Sequence, residues 1–209
     1  MSDEGQREGR RFNQEHYDLL VECSEKGDMA EWNEWYGKNF EYLDYFGDLE
    51  YLEEWEYSGA WLEGADLRGV HMEKADLRGA WLEGADLKGA HMEKAELRGA
   101  HMKGVELSGA HMEEAILIQA HMEGADLSGA HMEEAILIQA HLKEANLYMA
   151  HLKEVKMMHA HMEEAILIQA HMEEADLSGA HMEEARLSEA HLDGADQSVA
   201  RMDEDDLQW

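Results

Sequence analysis

The residues best equipped for chemistry in this chain are histidines, and their spacing is regular. From His91 to His191 every tenth residue is histidine, and His71 extends the series past Trp81. Two places after many of them stands a glutamate: Glu73, Glu93, Glu113, Glu123, Glu133, Glu163, Glu173 and Glu183. Imidazole nitrogens beside carboxylates could ligate zinc, nickel or copper, with His111, His131, His151 and His171 as candidate ligands. The same pairs could also sense protons, because a neighbouring carboxylate favours the imidazolium. The ladder histidines are therefore expected to have raised pKa values and to charge in mild acid. Against a metal centre, the histidines follow a repeating unit and no set closes around an ion with a spacing of its own. The primary expectation is a solvated wall of stacked imidazoles, with metal binding as a further reading and no resident cofactor. There is no Gly-rich phosphate loop, no His-Glu-x-x-His and no nucleophile paired with a base, so catalysis is not expected.

The element that must position these side chains is set by a shorter period. Between residues 60 and 204 every fifth residue is alanine, replaced by valine at Val70, Val105 and Val155. Two places after each stands Leu or Met, and only Gln197 breaks that apolar rule. The tract holds twenty-nine such units without an insertion. On an α-helix a step of five residues advances about 140° net, which would scatter the apolar pairs over every side. In a continuous strand, successive pairs would alternate between faces. Both difficulties vanish if the chain turns a corner in every unit, so that each Ala-x-Leu/Met points inward. Four corners close a coil of 20 residues, and such coils bury a core only by stacking.

Units such as Ala65-Asp66-Leu67-Arg68-Gly69 and Ala125-Asp126-Leu127-Ser128-Gly129 closely match Ala-Asp/Asn-Leu-x-Gly. In this the tract resembles the pentapeptide-repeat family. The resemblance implies an all-β solenoid, a right-handed quadrilateral β-helix, here of about seven coils with a small helical, aromatic-rich N-terminal cap. Glycine at the last place of a unit, as in Gly64 and Gly69, suits a corner with positive φ. Later units carry Glu, Gln or Lys there, so the turn type is expected to vary along the rod.

The domain organisation follows. Residues 1–12 read as a polar, disordered tail, 13–59 as a helical cap, 60–204 as the repeat and 205–209 as an acidic tail. Within the cap, Tyr17, Leu20, Val21 and Cys23 give a short amphipathic helix stopped by Gly27. Asp28 with Glu31 reads as a capping box for a second helix, which carries Trp32, Trp35 and Tyr36 and is expected to end at Gly37. Residues 39–59 add Phe40, Tyr42, Tyr45, Phe46, Tyr51, Trp55 and Tyr57. Together these are expected to cover the open end of the rod, because an uncovered end coil is a sheet edge.

With Ala and Leu/Met inside, partners must be met by the residues between. At 20 residues per coil the histidines form two ladders on opposite walls, one of His71, His91, His111, His131, His151, His171 and His191. The other runs from Trp61 and Trp81 through His101, His121, His141, His161 and His181 to Arg201. On another wall Ile116, Ile118, Ile136 and Ile138, continued by Met158, are expected to stack into an exposed apolar strip. Ile166 and Ile168 fall on the wall opposite it, near Tyr148.

The net charge of −31 argues against nucleic acid or an anionic membrane as a partner and favours a basic protein. Within residues 60–204, 29 acidic side chains against 12 basic ones leave −17. The single Cys23, the absence of a signal-peptide pattern and the absence of a membrane-length apolar run suit the cytoplasm. The readings are a non-catalytic interaction or scaffolding module that binds a protein partner or itself, and a DNA mimic. The resemblance supplies the second: some members occupy the DNA-binding saddle of type II topoisomerases, which makes DNA gyrase and topoisomerase IV candidate partners. Such members usually end in a dimerising helix, for which no residues remain here. Candidate contact residues are the isoleucines and Met158 with Glu113, Glu133 and Glu173.

Overall fold

The structure, a computed structural model, describes residues 12–40 and 59–202. The aromatic run from Tyr42 to Tyr57, residues 1–11 and the acidic tail lie outside the described residues.

The repeat winds into a coil whose bridges pair each residue with the one 20 places on. His111 pairs with His131, Ile116 with Ile136, His121 with His141 and Asp126 with Asn146, all in parallel. Four walls follow one another: the first holds the units starting at Ala60 and Ala80, the second those at Ala65 and Ala85. The third begins with Val70 and Ala90, and the fourth with Ala75 and Ala95. Each unit hands the same backbone hydrogen bonds to its neighbours. In the unit at Ala130 the His131 N–H reaches the Ala110 carbonyl, Met132 N–H reaches His151, and Glu134 N–H reaches Lys153. The Ala135 N–H then closes the corner on the Met132 carbonyl at 3.1 Å. The inward positions are sealed: from Ala60 to Leu187 the Ala/Val and Leu/Met side chains are buried, apart from the half-buried Val70. Each buried Leu or Met contributes on the order of 1.5–3 kcal/mol.

The expected variation in corner type does not occur. Glycines such as Gly64 and Gly129 have φ of 65° and 61°, and Glu114, Gln119, Lys94 and Glu134 take 56°, 55°, 60° and 59°. The cause is the ladder itself. Each corner N–H must meet the next coil's carbonyl, as Gln119 meets Ile138 at 3.0 Å, so every coil needs the same corner. The left-handed conformation costs a non-glycine residue roughly 1–2 kcal/mol, and the stacked ladder outweighs it.

Among the described residues two helices precede the coil. Helix α1 (Gln14–Lys26) starts where the Asn13 side chain accepts the N–H groups of Glu15 and His16, and stops at Gly27 with φ 65°. Helix α2 (Ala30–Asn39) runs through Gly37, beyond its expected end, and its last turn closes from the Phe40 N–H to the Tyr36 carbonyl. The expected capping box is only half formed. Asp28 Oδ1 accepts the Ala30 N–H at 2.8 Å, whereas Glu31 turns to Lys26 Nζ at 3.2 Å. No described helix is long and apolar enough to cross a membrane.

The helices cover the first coil in two ways. Leu20, Cys23, Trp32 and Tyr36 are buried in the same core as the repeat. Their polar atoms meet backbone groups that a preceding coil would otherwise occupy. Phe12, expected in the polar tail, pairs instead with Leu62, and the Asn13 N–H donates to Trp61 O at 3.0 Å. On the first wall His16 Nδ1 accepts the Trp61 N–H at 3.1 Å. On the second, Tyr17 Oη donates to Asp66 O at 3.1 Å, and on the third Ser24 Oγ accepts the His71 N–H at 2.9 Å. On the fourth, Trp32 Nε1 donates to Asp76 O at 2.8 Å, and Asn33 Oδ1 accepts the Asp76 N–H at 2.7 Å.

Candidate functional site

Both histidine ladders form. On the third wall, successive rings from His71 to His191 lie 4.4, 4.7, 4.8, 4.5, 5.3 and 4.7 Å apart and within 12° of parallel. On the first wall Trp81 stacks on His101 at 3.9 Å, and the column continues to His161 before tilting by 41° at His181. The spacing is that of parallel strands, imposed by the backbone and inherited by the rings.

Glutamates flank the rings. Oε1 of Glu93 lies 3.4 Å from His91 Nδ1, and the matching distances for Glu113 and Glu173 are both 3.5 Å. Glu133 Oε1 stands between two rungs, 3.9 Å from Nδ1 of both His131 and His151. Glu163 does the same with His161 at 3.4 Å and His181 at 3.8 Å. The other oxygen, Oε2, of Glu93, Glu113, Glu133 and Glu183 is shielded from solvent and has no hydrogen-bond partner among the described residues. Around His151 and His171 an open groove of about 550 Å³ is lined by Glu133, Lys153, Glu173, Glu174 and Asp193.

At one position the environment reverses the expected raising of the ladder histidines. Burial pushes the His141 imidazole below its ordinary value, and its stacked neighbours His121 and His161 push the same way. Glu123 and Glu163 oppose this and do not win. The hydrogen bond from His121 in turn pulls Glu123 below the usual carboxylate range.

The isoleucines stack as expected, Ile116 on Ile136 and Ile118 beside Ile138 and Met158 along the fourth wall. They are not an exposed strip: all five side chains are half-buried, because rungs so close together shield one another. Ile166 and Ile168, also half-buried, lie on the second wall directly beyond Asn146 and Tyr148. There Tyr148 and Met149 are exposed by 41% and 46%. Glu113, Glu133 and Glu173 belong to the third wall, so the structure does not bring them into one patch with either isoleucine column.

Charge is segregated along the rod. Early in the repeat the acids are paired: Arg68 with Asp66, Arg78 with Asp76, Lys88 with Glu106, Lys94 with Glu114 and Arg98 with Glu96. No Lys or Arg occurs between Val105 and Leu142, a stretch carrying Glu113, Glu123, Asp126, Glu133 and Glu134 besides Glu106 and Glu114, which pair back to Lys88 and Lys94. The half-buried isoleucines, the cap's hydrogen bonds and the bridging position of Glu133 had no signal in the sequence beyond the period itself.

No curated protein sequence matches the chain. Among solved structures, Rfr23 from the cyanobacterium Cyanothece 51142 is 34% identical over 44% of this chain, with a TM-score of 0.43. The chain spans 64% of that protein's length. HetL from Nostoc sp. strain PCC 7120, involved in heterocyst differentiation regulation, is 26% identical over 64% of this chain and 81% of its own, with a TM-score of 0.44. A trypsin-treated form of QnrB1, a plasmid-mediated fluoroquinolone resistance protein, is 20% identical over 65% of this chain and 78% of its own. Its TM-score is 0.51, a likeness of fold. The pentapeptide-repeat profile matches in eight copies over residues 58–89, 82–119, 95–134, 120–157 and 156–194. With that match across most of its length and a four-walled coil beneath it, the chain belongs to the pentapeptide-repeat family, whose members fold as right-handed β-helices.

Proposed function

We propose that the protein is a non-catalytic interaction module whose acidic rod engages a basic surface on a protein partner. The observation that carries this reading is the base-free belt between Val105 and Leu142, set on a coil whose inward side chains fill its core. Its carboxylates stand in fixed columns, so a complementary basic surface would meet a preorganised field. The half-buried isoleucines on the fourth wall, and Tyr148 and Met149 with Ile166 and Ile168 on the second, would add apolar contacts beside the charge.

A DNA-binding groove is the basic surface that matches best. Residues 60–204 carry a net −17. At roughly 4.8 Å per coil the rod is about 35 Å long, or one net negative charge per roughly 2 Å. Duplex DNA carries one per about 1.7 Å. DNA gyrase and topoisomerase IV are therefore the partners to test first. Purified protein is added to a gyrase supercoiling assay, with and without a quinolone, at about 50 and 200 mM salt. Inhibition or rescue that fades at the higher salt supports the acidic belt as the contact, and Asp126→Asn with Glu134→Gln should weaken it further. An effect that persists in high salt would shift the contact to the apolar columns. No effect at micromolar protein would reject the topoisomerase partner.

A further inference from the structure

The third wall carries a feature that the interaction reading does not use. Glu133 Oε1 lies 3.9 Å from Nδ1 of both His131 and His151, whose rings stack at 4.5 Å and 6°. Three donors, two imidazole nitrogens and one carboxylate oxygen, thus lie within 4.8 Å of one another. Glu133 Oε2 is shielded from water and has no hydrogen-bond partner among the described residues. The Oε2 atoms of Glu93, Glu113 and Glu183 share that condition along the ladders, and a bound cation beside the carboxylate is one of its ordinary explanations. The three side chains keep 36%, 35% and 42% of their surface exposed for His131, Glu133 and His151, so an ion has access from solvent.

We propose that His131, Glu133 and His151 form a binding site for a divalent transition-metal ion of the zinc class, with water in the fourth position. Zinc takes imidazole nitrogen and carboxylate oxygen at roughly 2.0–2.2 Å, which places tetrahedral donors about 3.3 Å apart. The two carboxylate–imidazole separations are 3.9 Å and all three donors lie within 4.8 Å of one another, so side-chain rotations must close the set onto the ion, which the exposure of all three side chains permits. The nitrogen donors select against magnesium and calcium, which prefer all-oxygen shells. Lys153, which stands in the next rung where a glutamate would otherwise be, turns away to Glu154 at 3.2 Å.

The site is one of a series. The donor groups His71–Glu73–His91, His91–Glu93–His111, His111–Glu113–His131 and His121–Glu123–His141 have the same composition, and two more exist among the described residues. Consecutive sites on the third wall share a histidine, and one Nδ1 serves one ion. Occupancy is therefore restricted to alternate sites along each run. The lysines at 103, 143 and 153 mark the rungs that lack the carboxylate.

The test uses the full chain, stripped with a chelator and titrated with zinc sulfate while imidazole resonances are followed by NMR. The His131 and His151 signals should shift at micromolar zinc and be unmoved by a thousandfold excess of magnesium. In Glu133→Gln the same shifts should need at least about 10- to 100-fold more zinc, the loss typical when even a supporting carboxylate is removed. Glu144→Gln, the same charge change away from the ladder, should leave them unchanged. Cobalt added to the unaltered protein gives a second reading that needs no variant: a four-coordinate site gives intense visible bands, and a six-coordinate hydrated ion gives weak ones. Equal zinc response in wild type and Glu133→Gln, displacement by magnesium, or only the weak cobalt spectrum would overturn the proposal and leave diffuse attraction of cations to an acidic rod.

Discussion

The first and last coils are written in the same five-residue language and end very differently. At the N-terminal end Ala60, Leu62 and Leu67 are as buried as any residue in mid-rod, because Leu20, Trp32 and Tyr36 lie over them. At the other end Leu187 is still sealed, but Leu192, Ala195, Ala200 and Met202 are only half-buried and Gln197 takes an inward place. In a stack held by nearest-neighbour contacts, an interior coil has two partners and an end coil one. The helices replace the missing partner twice over, by covering side chains and by bonding to the backbone of every wall. The difference teaches that the repeat supplies its own middle, whereas an end must be supplied from outside it.

The largest effect that would break this comparison is removal of the cap's centre. Trp32 is fully buried and donates to the fourth wall, so Trp32→Ala should cost about 3–5 kcal/mol. Hydrogen exchange should show the lost protection concentrated in residues 60–80. Uniform loss along the rod would mean that the ends are not separate. Next comes a matched pair. Leu62→Ala should cost about 2–5 kcal/mol, and Leu192→Ala about 1 kcal/mol, since only part of the latter side chain is out of water. Equal losses in denaturant unfolding would show that the last coil is as sealed as the first.

The smallest effect separates the regions by pH. His141 is held below its ordinary value in the folded rod, so as pH falls below about 6.5 the unfolded chain binds the proton first. That stability is present at neutral pH and is lost as pH falls through the lowered folded value. Melting temperature should therefore drop less between about pH 7 and 5 in His141→Gln than in wild type. Tyr36 behaves oppositely: burial holds its hydroxyl well above the ordinary 10, so the cap should lose stability as pH rises past that value. A cap that resists alkali while the rod melts would contradict this assignment.

Much of this architecture was legible because the period leaves few geometric solutions. The inward Ala and Leu/Met, the 20-residue pairing and both ladders follow from the spacing alone. The stop of α1 at Gly27 was equally readable, since a left-handed cap favours glycine. Three things were not. Burial of Ile116 and Ile136 depends on the rungs on either side, which a single unit does not describe. The corner conformation at Glu114 or Gln119 is set by the ladder against the preference of the residue. The direction at His141 turns on burial and flanking imidazoles outweighing the nearby carboxylates, and proximity in sequence reveals only the carboxylates.

Because all four walls present the same Ala-x-Leu/Met to the interior, the core is indifferent to which unit lies over which wall. A slip of five residues would leave it just as full. The cap is not indifferent: His16, Tyr17, Ser24 and Trp32 each reach a different wall of the first coil. It therefore acts as the index mark of a screw thread, fixing the origin from which every later quarter-turn is counted. Excising 20 residues would shorten the rod and leave each downstream column on its original bearing. Excising five would turn the whole remainder by a quarter and carry the histidines to the walls now held by isoleucine and aspartate. Length and bearing are thus separately adjustable, one in whole coils and the other in single units.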